Sequence, residues 1–168
     1  QIRIDEPADV PLFFSKAKGS KIWDADGNEY IDYIQGMGPN IFGHAPDFII
    51  QAVNRDMQNG FVFAGQHERE LEVAEMALEM IPMVNATVRF ASSGTEINQL
   101  AIRLMRGYTG RNKYIKFEGH YHGWTDSVSY SVHPNLEYAG SLDNPFPVFE
   151  SMGIDNGTRD SIVTCQWN

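Results

Sequence analysis

Cysteine is all but missing: Cys165 is the only one in 168 residues. A disulfide framework and a Cys-x-x-Cys metal site are therefore excluded, and a reducing, cytoplasmic setting is the expectation. Long apolar runs are missing too; none approaches the roughly 18 residues that cross a bilayer, so no membrane partner is expected. Positive charge is scarce. Thirteen Lys and Arg face 22 Asp and Glu, a net charge of −9, which argues against nucleic acid or an anionic membrane as a non-specific partner. Gln1–Val10 carries neither the basic nor the apolar region of a signal peptide. The glycosylation matches Asn85-Ala86-Thr87 and Asn156-Gly157-Thr158 thus lack a secretory context. Walker lysine and Gly-x-Ser-x-Gly motifs are absent, and Gly36-x-Gly38 lacks the third glycine of a dinucleotide fingerprint. What is present, 42% hydrophobic and 21% charged residues, is the composition of a globular chain.

Periodicity sets the expected elements. Ile22–Ile34 alternates around the turn dipeptide Asp26-Gly27 and predicts a β-hairpin. Gly36–Asn40 and Gly43-His44 read as a loop. Ile49, Ala52, Val53 and Met57 predict a helix from Pro46 that Asn59-Gly60 ends. Leu71, Ala74, Leu78 and Ile81 predict a second, stopped by Pro82. Ile97, Leu100, Ala101, Leu104, Met105 and Tyr108 form the continuous apolar face of a third, closed by Gly107 and Gly110. Thr87–Ala91 before it and Lys113–Phe117 after it read as strands, a βαβ unit and hence a parallel α/β sheet. Beyond Asp126 the pattern fades. Ser141–Gly157 reads as an extended loop and Ile162-Val163 as one more short strand.

The junction Phe90–Asn98 carries the chemistry. Ser93 followed by Glu96 is a capping box, which on its own is only local structure. The cap nonetheless fixes a helix start whose backbone N–H groups suit an anion, with Gly94 letting a ligand approach and Thr95 adding a hydroxyl. Tyr121 then lies just past a strand, at the carboxyl edge where open α/β sheets bind ligands. A phosphate cradle followed by a flat aromatic side chain points to a cofactor with a phosphate and a ring. His120-x-His122 has no further ligands at recognisable spacing, so no metal is expected. His44, His67 and His133 stand alone and read as core or surface residues.

Five blocks, taken in order, resemble a known family. They are Trp23-Asp24-x-Asp26-Gly27-Asn28-x-Tyr30-Ile31-Asp32-Tyr33; Gly43-His44; Ser93-Gly94-Thr95-Glu96-x-Asn98; Gly107-Tyr108-Thr109-Gly110-Arg111; and Lys116-Phe117-Glu118-Gly119-x-Tyr121-His122-Gly123. The chain is similar to class-III aminotransferases of fold type I, nearest the glutamate-1-semialdehyde aminomutase branch. The resemblance implies pyridoxal 5'-phosphate as cofactor, its phosphate on Ser93, Gly94 and Thr95, Tyr121 over its ring and His122 beside it. Gly36–Asn40, with Met37, and Phe61–Gly65, with Phe63, align with substrate-pocket loops. It also implies residues 1–60 as an N-terminal segment and 61–168 as the first part of the large cofactor-binding domain, with Thr87–Ala91 paired to a strand from that domain's later half.

A homodimer and a small amino-acid or amine substrate are implied for the complete enzyme. The lysine that would carry the cofactor and the Asp under its pyridine nitrogen are expected beyond Asn168, so these residues alone should not transaminate. Met37 stands where the aminomutase branch has a tryptophan. That favours an ordinary transaminase, acting on a β-amino or other unusual amine, over an aminomutase isomerase. A catalytically inactive phosphate-binding remnant and an unrelated nucleotide- or metal-binding α/β domain are the alternatives.

Overall fold

The computed structural model describes residues 12–168. They form two compact units, one ending at Glu70 and one spanning Leu71–Asn168. The first opens on a three-stranded antiparallel sheet of β1 (Phe14–Lys18), β2 (Lys21–Asp24) and β3 (Glu29–Ile31), in that order. The expected hairpin is β2–β3, with Ile22 opposite Tyr30. Asp24, 4% exposed, sets its turn by accepting the Asn28 backbone N–H at 2.8 Å, the Asn28 side-chain amide at 2.9 Å and the Tyr30 hydroxyl at 2.7 Å. The Asn28 amide and then the Tyr30 hydroxyl hold this carboxyl below the usual carboxylate range. β1 has no clean alternation and was not expected; it is a strand because β2 pairs with it, Ala17 opposite Ile22.

The loop after β3 is built around Asp32. Its Oδ1 accepts the N–H groups of Ile34 and Gln35 at 2.9 and 3.0 Å, and its Oδ2 meets His44 Nε2 at 2.6 Å. His44, expected to stand alone, is thus hydrogen-bonded to Asp32 across the chain reversal between them. Gly43 is required by close approach: a Cβ there would lie 2.9 Å from the Gly19 carbonyl oxygen, where residues 19 and 44 form a β-bridge. The His44 bond, followed by the two amides, depresses the Asp32 pKa. A depressed carboxylate stabilises the fold above its unfolded pKa and loses that contribution as pH falls through the folded value. His44→Gln is therefore expected to raise the midpoint of acid unfolding of this loop, read by amide hydrogen exchange at residues 34 and 35. An unmoved midpoint would remove the pair from the account.

Helix α1 (Asp47–Met57) starts after Pro46 and α2 (Glu68–Met80) ends before Pro82, as the stripes predict. Helix α3 (Gly94–Thr109) is capped by Ser93 and closed by Gly110 at φ +67°, whereas Gly107 lies inside it. The apolar α3 stripe is only partly covered among the described residues. Ile97 and Leu100 are half-buried, but Leu104, Met105 and Tyr108 are exposed, and the one buried α3 residue is Ile102. Thr87–Ala91 is a second correction: no strand forms there. A strand exists only by pairing, and no described segment lies in register with these residues.

The parallel pair is instead β4 (Tyr114–Phe117) with β7 (Ile162–Cys165), Tyr114 opposite Ile162 and Phe117 opposite Cys165. The connection between them includes Ser141–Gly157, whose composition predicts an extended loop. It holds a hairpin of β5 (Gly140–Ser141) and β6 (Asn144–Pro145) and the turn α4 (Asn156–Arg159). It also carries most of the core, since Val128, Tyr130, Val132 and Ala139 are buried together with Ile102 and Ile162. Ser131, fully buried at φ +47°, explains how. Its N–H and Oγ bind the Val148 carbonyl and N–H at 2.7 and 2.9 Å, and its carbonyl accepts Gly119 N–H at 2.9 Å. One polar residue replaces the ladder that periodicity would have announced.

Candidate functional site

Helix α3 begins as a capping box. Ser93 Oγ accepts Glu96 N–H at 3.3 Å, and Glu96 Oε2 reaches back to the N–H of Ser92 at 2.8 Å, one residue earlier than the motif predicts. The N–H groups of Gly94 and Thr95 have no acceptor among the described residues. Gly94 is exposed, and a Cβ built on it meets nothing within 4 Å. The helix therefore offers two aligned donors, the Thr95 hydroxyl and the positive end of its dipole to open space, which is the donor set a phosphate requires.

The segment after β4 lies against this helix start. Glu118 N–H donates to the Cys165 carbonyl and Gly119 N–H to that of Ser131, each at 2.9 Å. The amide of Asn98, one turn into α3, donates to the His122 carbonyl at 2.9 Å. Gly123 is buried at φ +116°, so close that a Cβ there would be 2.5 Å from Thr95 Oγ1 and 2.8 Å from Thr95 Cα. The backbone of residues 122 and 123 is thereby held against the first turns of α3. Tyr121, two residues before the Gly123 contact, keeps 64% of its surface exposed. An open groove of about 350 Å³ is lined by Thr95, Gln99 and Arg103 of α3 and by Trp124 and Thr125.

His122 is half-buried. Burial first, then the positive charges of Lys116 and His120, lower its pKa, so the neutral imidazole is the favoured form. A base depressed in this way takes its proton more readily in the unfolded chain. Its contribution to stability is lost as pH falls below the ordinary histidine value. Asn98 and Gly123 stood in the blocks that carry the resemblance but were given no role, because their work is contact with a distant segment.

Met37 and Phe63 belong to the first unit. Met37 is 88% exposed at φ +65°. Phe63 lines a groove of about 400 Å³ with Val53, Met57, Phe61 and His67, its ring 5.3 Å from the imidazole of His67. Among the described residues no three His, Cys, Asp or Glu side chains gather as a metal site, and no helix is long and apolar enough to cross a membrane.

Known proteins share this arrangement. Residues 4–154 match the family model described as "Aminotransferase class-III". Over 158 residues the chain is 42% identical to glutamate-1-semialdehyde 2,1-aminomutase 1 of Macrococcus caseolyticus, covering 94% of this chain and 35% of that protein. An omega-transaminase from Sphaerobacter thermophilus superposes with a TM-score of 0.86 at 34% identity, over 94% of this chain and 35% of its own. A transaminase solved with PLP bound gives 0.81 at 30% identity and the same coverage. The chain thus spans about a third of the length of these relatives and has the mixed α/β fold of their N-terminal part. With a family model matched across residues 4–154, the chain belongs to the class-III aminotransferase family.

Proposed function

We propose that the protein containing this chain is a pyridoxal 5'-phosphate-dependent aminotransferase acting on a small amino acid or amine, and that these residues seat the cofactor. The observation that supports the reading is the close approach of Gly123 to Thr95, which brings the loop after β4 against a helix start with two unused amides. The residues present fit the group. The Gly94 and Thr95 amides and the Ser93 and Thr95 hydroxyls would hold its phosphate, and Tyr121 would cover its ring. Bound there, the cofactor would supply an electron sink for making and breaking a carbon–nitrogen bond.

The chain's own part is to bind and orient. The α3 dipole favours the phosphate dianion, neutral His122 can accept or donate one hydrogen bond beside the ring, and buried Gly123 closes the loop without a side chain. Of the lysines, Lys116 is taken up by two backbone carbonyls, as described below. Met37 and Phe63 are assigned to the substrate pocket on the family resemblance, and a homodimer in the cytoplasm belongs to the same reading.

The aminomutase reading has support of its own in the 42% identity to a glutamate-1-semialdehyde 2,1-aminomutase. The two separate on stoichiometry: transamination passes nitrogen to an added keto acid, whereas an aminomutase isomerises its substrate with no acceptor. The decisive experiment takes the spectrum of the complete protein with cofactor, with and without candidate amines. A near-visible band fixed by borohydride is expected. Thr95→Val should weaken cofactor binding roughly tenfold, the value of one hydrogen bond to a charged group. Tyr121→Ala should shift the band. Unchanged affinity and spectrum in both variants would overturn the assignment.

A further inference from the structure

Lys116 lies in β4 and is only 4% exposed. Burying an ammonium costs several kcal/mol unless donors and acceptors compensate, yet no carboxylate lies within ion-pair distance of its Nζ among the described residues. Its partners are backbone: the His120 carbonyl at 2.8 Å and the Phe117 carbonyl at 3.3 Å. Both belong to the turn leading from β4 to Tyr121. Gly119 stands at the apex of that turn at φ +75°.

The ammonium therefore works as an internal clamp. It bridges the start and the end of the turn from inside, where Asn98 also holds the next carbonyl but one. With the carbonyls of 117, 120 and 122 all held on the inner side, the residue between the last two turns outward. His120 packs inward against Phe117 and Trp167, with ring centroids 5.8 and 5.0 Å away, while Tyr121 is left exposed. Lys116 and His122 line the same small cavity under α3, so the clamp acts on both residues assigned to the cofactor ring.

We propose that Lys116 is a positioning residue for the cofactor: its buried ammonium, bound to the Phe117 and His120 carbonyls, fixes the turn that sets Tyr121 over the ring. The inference rests on the cofactor reading above and adds to it a residue that never touches the ligand. In the complete protein, Lys116→Met keeps the length and burial of the side chain and removes the charge and all three donors. Two quantities report on it: the cofactor dissociation constant, and the visible circular dichroism per bound cofactor, which responds to how the ring is held.

Lys116→Met is expected to weaken binding roughly tenfold, the loss of a charge-assisted tie, and to reduce or invert the visible signal at temperatures well below unfolding. Thr95→Val should weaken binding while leaving the signal per bound cofactor unchanged. Should Lys116→Met fail to fold, Gly119→Ala decides. Its Cβ has open space and strains only the left-handed turn, and the same loss of signal is expected. A folded Lys116→Met, or failing that Gly119→Ala, with unaltered dichroism per bound cofactor overturns the inference. Absence of any visible band in the unaltered protein would instead overturn the cofactor reading, and this inference with it.

Discussion

Gly123→Ala is expected to cost the complete protein about 2–4 kcal/mol and most of its cofactor affinity, although it adds a single methyl group. Two penalties act together. The residue sits at φ +116°, where a side chain is strained, and the new Cβ would meet Thr95 Oγ1 at 2.5 Å. Something must shift, and the first turn of α3 on one side and the 120–123 loop on the other are what can. Trimming the neighbour does not cure the clash, because even Thr95→Gly leaves the Cα 2.8 Å from the methyl. Any shift separates the amides at Gly94 from the ring of Tyr121, so binding and stability should fall together. Urea unfolding and cofactor titration check both quantities; a variant that binds normally would break the link between helix start and loop on which the site depends.

Gly94→Asp is expected to act on the same helix turn in the opposite sense. Its Cβ meets nothing within 4 Å and no left-handed φ has to be relieved. An acidic residue in the first turn complements the dipole, and stability should be unchanged or rise by a few tenths of a kcal/mol. The new carboxylate, however, occupies the space meant for the phosphate. Two unit charges about 4 Å apart near a protein surface repel by roughly 4 kcal/mol, or about a thousandfold in affinity. A protein that melts normally and no longer binds pyridoxal phosphate is the predicted outcome. Retained affinity would mean that the anion seat lies elsewhere.

The legible parts of the chain were those whose signal is local. Helix α1 begins directly after Pro46, α2 ends two residues before Pro82, α3 runs from its Ser93 cap to Gly110, and the Asp26-Gly27 hairpin forms where the dipeptide stands. The capping box at Ser93 is formed as well, because a cap is satisfied within four residues of itself. The unreadable parts were those whose partners are distant. β1 has no pattern of its own and exists through β2. Thr87–Ala91 has a strand's composition but no described partner, and remains unpaired. His44 looked solitary because Asp32 is twelve residues away, across a loop of left-handed residues that no periodicity describes.

The site divides in the same way. Local signals announced a capped helix start at α3, an aromatic residue after the next strand and a mixed α/β chain, while the aminotransferase type was read from the resemblance of five sequence blocks. The tertiary structure decided that the start of α3 and the loop through Gly123 lie against each other. That outcome depends on Gly123 lying against Thr95, on Asn98 reaching the His122 carbonyl and on Lys116 drawing two carbonyls inward. None of these contacts has a sequence period, since the Gly123 and Asn98 contacts join segments distant in the chain and the Lys116 contacts depend on a left-handed turn at Gly119. The core is likewise a tertiary product, hung on Ser131, a small polar residue that reads as loop until its N–H, carbonyl and hydroxyl are all seen to be used. Local propensity is spent within a few residues, while enclosure of a ligand is a property of distant chain segments brought together by burial.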